Sequence, residues 1–552
     1  MRILQRAVLV VVIAAGACTL DVTNLNNPDR DRVLRTPADV EALIGQLYQN
    51  FNNATIGGTT ATGQPNNDVL QPQLLTSGME SYSGNANFQM GPRGGIPRGV
   101  PHIPNGRGNA GEAGNLRDFQ RLSVTARSAA DGLRRLAAPG FSFGSAAQDA
   151  RGKAFAQFAL GLSLGHLGMI YDSAAIVGPT DDAEVIPPLR GDSAVLATAL
   201  GWLDSAEATV TDNVAIFGSL PDTWIKGNTP DAAGFIRIIR SYRAQIRAAG
   251  ARTPTERAAL DWNAIIADAT NGIKEDLVIA MNPGVGWDVS WVVQHYLFQS
   301  WHQMWQFMVG FADVSGGFDA WLAQPVADRG PFLVVTPDRR FPQGATRSEQ
   351  QANSPAVPSG SLYFRNRPGA QDIAGISLAF SYYDFYRFQS FFNAQRVGNY
   401  PVMTRAEMRL LAAEGYIRTG QIALAGPLID SSRVSKGGLP ALGTSITDLT
   451  TPVPGGASCV PRVPQPPLFT SAACGNIFEA LKWEKRMETA FIGYGSWYFD
   501  SRGWGDLPQG TALHWPVPWQ EMDARSTTSR FYDMPDVGKG TLPGAAAGTY
   551  GL

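Results

Sequence analysis

Apolar residues recur along most of this chain at the spacing of an α-helix. The stretch TPADVEALIGQLYQNF opens with Thr36 as a cap and Pro37 in the first turn, then sets Val40, Leu43, Ile44, Leu47 and Phe51 on one face. The same periodicity predicts helices over about 115–137, 148–172, 191–212, 232–249, 255–280, 291–310, 404–435 and 476–494. No comparable set of alternating strands is visible between them.

Several predicted helices come in close pairs. In TRAEMRLLAAEGYIRTGQIALAGPLIDSSRV, Gly420 parts two helical runs in the manner of a tetratricopeptide hairpin, and Ala412, Ala413 and Gly415 let the pair approach closely. Two long irregular tracts, 52–114 and 322–374, interrupt the helical pattern. Loops of that length in a compact domain are uncommon unless they serve binding or are disordered, so function is sought there first.

The start of the chain has a different pattern. Arg2 and Arg6 precede an apolar run, Ala7 to Ala17, that falls short of the roughly 20 residues a spanning helix needs, so residues 1–17 read as a cleaved signal peptide. The run ends in AAGAC, which resembles the lipobox of bacterial lipoproteins, with Ala15 where Leu is usual. Cys18 is then the first mature residue and the lipid anchor, and Thr19 after it resembles lipoproteins sent to the outer membrane. Residues 18–552 form the mature domain. The two other cysteines, Cys459 and Cys474, lie in the Pro/Gly-rich stretch PVPGGASCVPRVPQPPLFTSAACG. An even pair in a loop of an exported chain points to a disulfide, and the segment offers too few Cys or His for a metal site.

With 17% charged residues and a net charge of −2, the chain has no basic excess to attract nucleic acid. Its catalytic motifs fail on context. GLSLGH at 161–166 spells a nucleophile elbow around Ser163, but an elbow needs a strand before its serine, and the surrounding pattern is helical. GRGNAG at 106–111 spells a dinucleotide-binding pattern, again without a preceding strand. The five histidines form no zinc-ligand spacing, and no cofactor or metal is implied. A glycosidase needs only two suitably placed carboxylates, and no motif selects such a pair.

The last third of the chain resembles the SusD/RagB family. MRLLAAEGYIRTGQIALAGPLIDSSRVSKGGLPAL matches a segment of that family at Leu410, Leu411, Ala413, Glu414, Tyr416, Arg418, Gly420, Ile429, Arg433, Gly438, Leu439 and Leu442. A second block, IFEALKWEKRMETAFIGYGSWYFDSRGWG, is similar at Glu484, Arg486, Glu488, Phe491, Gly493, Trp497, Phe499, Asp500, Arg502 and Trp504, and LHWPVPWQEM follows. Ile492 and Ser496 depart from the family's usual Glu and Arg. In the second block Trp483, Met487, Ala490, Phe491 and Tyr494 make one apolar stripe, with Lys482, Lys485 and Glu488 elsewhere on the helix.

The resemblance implies an all-α, SusD-like scaffold of tetratricopeptide-like helix pairs carrying long loop insertions. It implies a binding protein and not an enzyme, lipid-anchored on the outer face of the outer membrane. Its expected ligand is an oligosaccharide or a peptide, and its expected partner a SusC-like TonB-dependent transporter. The alternative is a surface hydrolase, glycosidase or peptidase, on the same scaffold.

A glycan site needs aromatic surfaces with amides and carboxylates at their edges. Of the 13 tryptophans, Trp301 and Trp305 share a helical face and read as core. Trp287 in NPGVGWDVS and Trp321 after VSGGFDA lie in Gly-flanked stretches that predict presentation on loops. Tyr82, Asn85, Asn87 and Phe88 in MESYSGNANFQM complete the candidate site.

Overall fold

The computed structural model describes residues 34–57, 70–83, 93–99, 101–107, 113–182, 185–289, 302–372, 380–525, 532 and 544–552. The principal helices are α1 (Pro37–Gly45), α2 (Leu47–Thr55), α3 (Ala113–Leu136), α4 (Ala146–Ile170), α5 (Asp192–Asp212), α6 (Ala232–Gly250), α7 (Trp262–Thr270), α8 (Arg405–Arg418), α9 (Ile422–Arg433), α10 (Ile477–Thr489) and α11 (Ser496–Trp504). From α3 to α10 each packs on the next, as in a stack of helical repeats. The pair α1–α2 lies against α3 and α4, and α11 against α6 and α10. Many starts carry the expected cap: the side chains of Thr36, Ser145, Asp231, Asp261, Thr404 and Asn476 each accept a backbone N–H from the first turn.

Helix α4 is buried on nearly every side, and its glycines explain how. A Cβ on Gly161 would stand 2.8 Å from Leu203 of α5, one on Gly165 2.6 Å from Ile246 of α6, and one on Gly168 2.8 Å from Leu196 of α5. The glycines of GLSLGHLG are therefore slots for neighbouring side chains.

The predicted helix over 255–280 breaks. A short helix, Pro254–Ala258, stops before Asp261 caps α7, and LVIAM (Leu277–Met281) becomes strand β4 with alternate residues buried. In chain order the strands are β1 (Ser81–Ser83), β2 (Ser173–Ala175), β3 (Leu189–Gly191), β4, β5 (His302–Met304), β6 (Phe364–Asn366), β7 (Tyr383–Phe385), β8 (Gly398–Met403), β9 (Arg462–Pro464) and β10 (Ala472–Cys474). Among the described residues they form only two-stranded antiparallel ladders: β1–β5, β2–β3, β4–β8, β6–β7 and β9–β10. The β4–β8 ladder, from Leu277↔Met403 to Met281↔Gly398, joins the two ends of a long excursion of the chain. Because α7 and α8 pack directly, the excursion leaves and rejoins the stack without interrupting it.

The two irregular tracts contain small elements where described, including the helices Gln71–Ser77 and Arg347–Ala352. The predicted helix 291–310 lies outside the described residues up to 301, then resolves into β5 and a short helix, Gln306–Gly310. Cys459 and Cys474 are joined by a disulfide, their Cα atoms 5.7 Å apart. No helix among the described residues is long and apolar enough to cross a membrane.

A large core runs through the stack, and a second, smaller one lies where α8, α9 and α10 meet. Helix α10 is not the amphipathic helix its stripe suggests: Lys482, Glu484, Lys485, Arg486 and Glu488 are all buried. Each charge has a partner. Glu484 accepts from Arg340, Lys485 donates to Asp500, and Lys482 and Arg486 donate to Asp506. Next to them, Arg257 binds Glu414 through two nitrogens at 2.8 and 2.7 Å and Asp500 at 2.9 Å, while Trp504 Nε1 donates to Glu414. Burial alone would raise the Glu414 pKa, but the Arg257 guanidinium holds it down at about 2. Arg502 spans Met169, Leu513 and Ala249 with its guanidinium, so one cation satisfies carbonyls at the C-terminal ends of both α4 and α6.

Candidate functional site

One strand positions two tryptophans. Just before α6, the turn that carries Trp224 is bonded onto β4: Ala280 N–H donates to Lys226 O at 3.0 Å, and Asn228 Nδ2 to Val278 O at 2.7 Å. Directly after β4, the chain turns through Asn282 and Gly286 to Trp287, and Asn282 and Trp287 exchange backbone hydrogen bonds. Gly286 has φ +80°, a left-handed conformation that suits glycine.

Helix α2 pins this second turn with three side-chain amides. Gln49 donates to Val285 O (3.0 Å), Asn53 to Gly286 O (3.1 Å) and Asn52 to Asp288 O (2.9 Å). The polar face of LYQNFNNAT is thus consumed in holding a loop. Trp287 rests against Tyr48 and Trp224 against Phe155, with ring centroids 6.3 and 4.8 Å apart. Gly45 at the end of α1 gives Trp224 room, since a Cβ there would lie 2.6 Å from its Nε1.

Between α1–α2 and these turns runs a groove of about 650 Å³. Trp224 and Trp287 reach its floor, and Glu41, Gln46, Gln49 and Lys226 stand on its walls. That is the size and chemistry of a small-ligand cleft, apolar below with a few directed polar groups above. Trp287 is not displayed on a loop as expected: it and Trp224 are only 4% and 5% exposed. Tight turns flanked by Gly can bury an aromatic as readily as present one when a strand and a helix hold both sides.

The other candidates are placed elsewhere. Tyr82 lies in β1, 2% exposed and edge-on to Trp305 at 5.6 Å. Trp321 is also 2% exposed, packed among Phe307, Phe318 and Phe332 with the Arg329 guanidinium 4.7 Å over its ring. The expectation that Trp321 is presented on a loop is corrected by this packing. Asn85, Asn87, Phe88, Trp301 and Cys18 lie outside the described residues. Trp305 is buried, as its spacing predicts. Sequence reasoning missed Trp224, although SLPDTWIKGNTPD carries the same Pro/Gly flanking signal as Trp287.

Ser163 sits in mid-helix, its hydroxyl donating to the Ala159 carbonyl, and His166 bonds the Leu162 carbonyl. Neither can serve a nucleophile elbow from there. Among the described residues no group of His, Cys, Asp and Glu is placed to hold a metal ion.

No model of a known protein family matches the sequence, and no curated protein does. Solved structures do match. A SusD superfamily protein from Bacteroides thetaiotaomicron superposes with a TM-score of 0.53 at 9% identity, over 89% of this chain and 98% of that one. Another, from Bacteroides vulgatus, gives 0.51 at 13% identity, over 91% and 94%. The similarity covers about nine-tenths of the chain, and the chain has a SusD-like fold.

Proposed function

We propose that this protein is a nutrient-binding subunit of the SusD/RagB type, lipid-anchored through Cys18 after removal of residues 1–17 and facing outward from the outer membrane. Its ligand is an oligosaccharide, and it hands that ligand to a SusC-like TonB-dependent transporter without chemical turnover. The observation that carries this reading is the groove floored by Trp224 and Trp287 on a SusD-like fold. Sugars present apolar C–H faces and hydroxyls, and the groove's lining offers both indole rings and polar groups, among them the Gln46 amide and the Glu41 carboxylate. Net energy comes mainly from the apolar contact, because sugar hydroxyls largely exchange hydrogen bonds with water.

Calorimetry with a panel of oligosaccharides tests the reading. Saturable binding is expected without product formation, and Trp287→Ala should weaken it by roughly 1–3 kcal/mol, the range of a truncated anchor. Saturable binding that both Trp224→Ala and Trp287→Ala leave intact would move the site away from the groove, and binding of peptides alone would change the ligand class. Cys18→Ser is expected to release the protein from membranes into the soluble fraction.

A further inference from the structure

We infer that a second groove, between α7 and the α8–α9 pair, docks an extended acidic and apolar peptide segment of a partner protein. This surface is separate from the tryptophan groove and does not depend on what binds there. Helix α8 lines it with Arg405, Met408, Arg409, Ala412 and Tyr416, spaced three or four residues apart along one face. Leu424 and Leu428 of α9 form the opposite wall, and Leu424 is 49% exposed, an unusual amount for a leucine on a packed helix pair. The space is about 350 Å³. From Arg405 to Tyr416 the helix rises about 16 Å, the length of about five residues of extended chain.

The groove has two unlike ends. Tyr416, Leu424 and Leu428 make one apolar, while Lys274, Arg405 and Arg409 make the other cationic. The Arg405 backbone N–H donates to Asp276 at 2.8 Å, but its guanidinium, like that of Arg409, donates no hydrogen bond among the described residues. Burial and the neighbouring Arg405 charge lower the pKa of Arg409, so an anion at this end relieves a standing repulsion. Glu275 and Asp276 act on Arg409 in the opposite direction, yet neither lines the groove. Carboxylates at one end and apolar side chains at the other are what this surface complements.

Panning a random dodecapeptide library against the purified full chain tests this. Enriched peptides should combine Asp or Glu with Leu, Ile or Phe and carry net negative charge. A synthetic peptide of the enriched sequence should bind at least tenfold more weakly to the Arg405→Glu/Arg409→Glu variant, and Lys replacement of its acids should restore binding to that variant. Leu424→Asp, at an exposed position, should weaken binding with the melting temperature unchanged, which separates docking from folding. Failure to enrich any peptide, enrichment of neutral or basic ones, or binding undiminished in both variants would overturn the proposal. So would self-association of the chain that these substitutions abolish, since a second copy would then be the occupant.

Discussion

The helices α10 and α11 and the two tryptophan turns are both held by polar contacts, but of different kinds. Around α10 the contacts are ionic: Arg257 with Glu414 and Asp500, Arg340 with Asp338 and Glu484, Lys482 and Arg486 with Asp506. Around Trp287 the contacts from α2 are neutral, amide to carbonyl, from Gln49, Asn52 and Asn53, while Arg396 pairs with Asp288 at 3.2 Å beside them. A buried ion pair must recover a large desolvation cost, so it tolerates one geometry and fails badly when a partner is removed. An amide bonded to a carbonyl costs less to form and less to lose. The frame is thus held mainly by ion pairs, while the Trp287 turn rests mainly on neutral amides with the Arg396–Asp288 pair beside them.

Breaking the ionic side should give the largest effect. Glu414→Ala leaves Arg257 buried with Asp500 as its only carboxylate partner, and urea unfolding should register a loss of about 3–5 kcal/mol. Oligosaccharide affinity of the molecules that remain folded should not change. A loss under 1 kcal/mol would mean that the network is solvated and the comparison wrong.

A smaller effect separates the two kinds by pH. Glu407 lies buried at the start of α8, its carboxylate accepting from Gln245, and burial pushes its pKa up to about 7. The folded state therefore holds this proton more tightly than the unfolded state. Its contribution is complete below the ordinary pKa of 4.5 and is lost as the pH rises through 7. Glu407→Gln should flatten the fall in stability between pH 5 and pH 8 by about 2 kcal/mol. Glu80, pushed up to about 8 by burial, keeps some slope in both proteins. Identical slopes for variant and parent would show that Glu407 is ionised in the fold.

The smallest effect falls on the neutral side. Asn53→Ala removes one of the three amides on the Trp287 turn and should cost about 1 kcal/mol of stability. Oligosaccharide affinity should fall severalfold through the loosened turn, although Asn53 is not among the groove's lining residues. Unchanged affinity would mean that β4 alone fixes Trp287.

The helical stack was legible because its faces repeat within single helices, as with Val40 and Ile44 on α1. The charges of α10 were not, because their meaning lies far off in sequence: Glu484 meets Arg340 across 144 positions and Lys482 meets Asp506 across 24. A polar residue whose partner is remote looks the same as one facing water. The ladder β4–β8 was hidden for a similar reason, since Leu277–Met281 is a short apolar run after Lys274, Glu275 and Asp276 that suits a helix or a strand, and only its pairing with Gly398–Met403 makes it a strand. Trp287 and Trp321 carried one signal and met different fates. Trp287 borders open space beside α1–α2, whereas Arg329 and three phenylalanines close over Trp321.

The ladder between β4 and β8 also decides where the chain can change length. The ladder ties the ends of the excursion together beside the touching helices α7 and α8, although Arg340 within the excursion still pairs with Glu484 of α10, so changes there must spare that contact. Lengthening such a closed segment is thermodynamically mild, about 0.6 kcal/mol for each doubling. Insertions in the excursion that spare Arg340 and the Trp287 turn should therefore leave the packing of the helices unchanged.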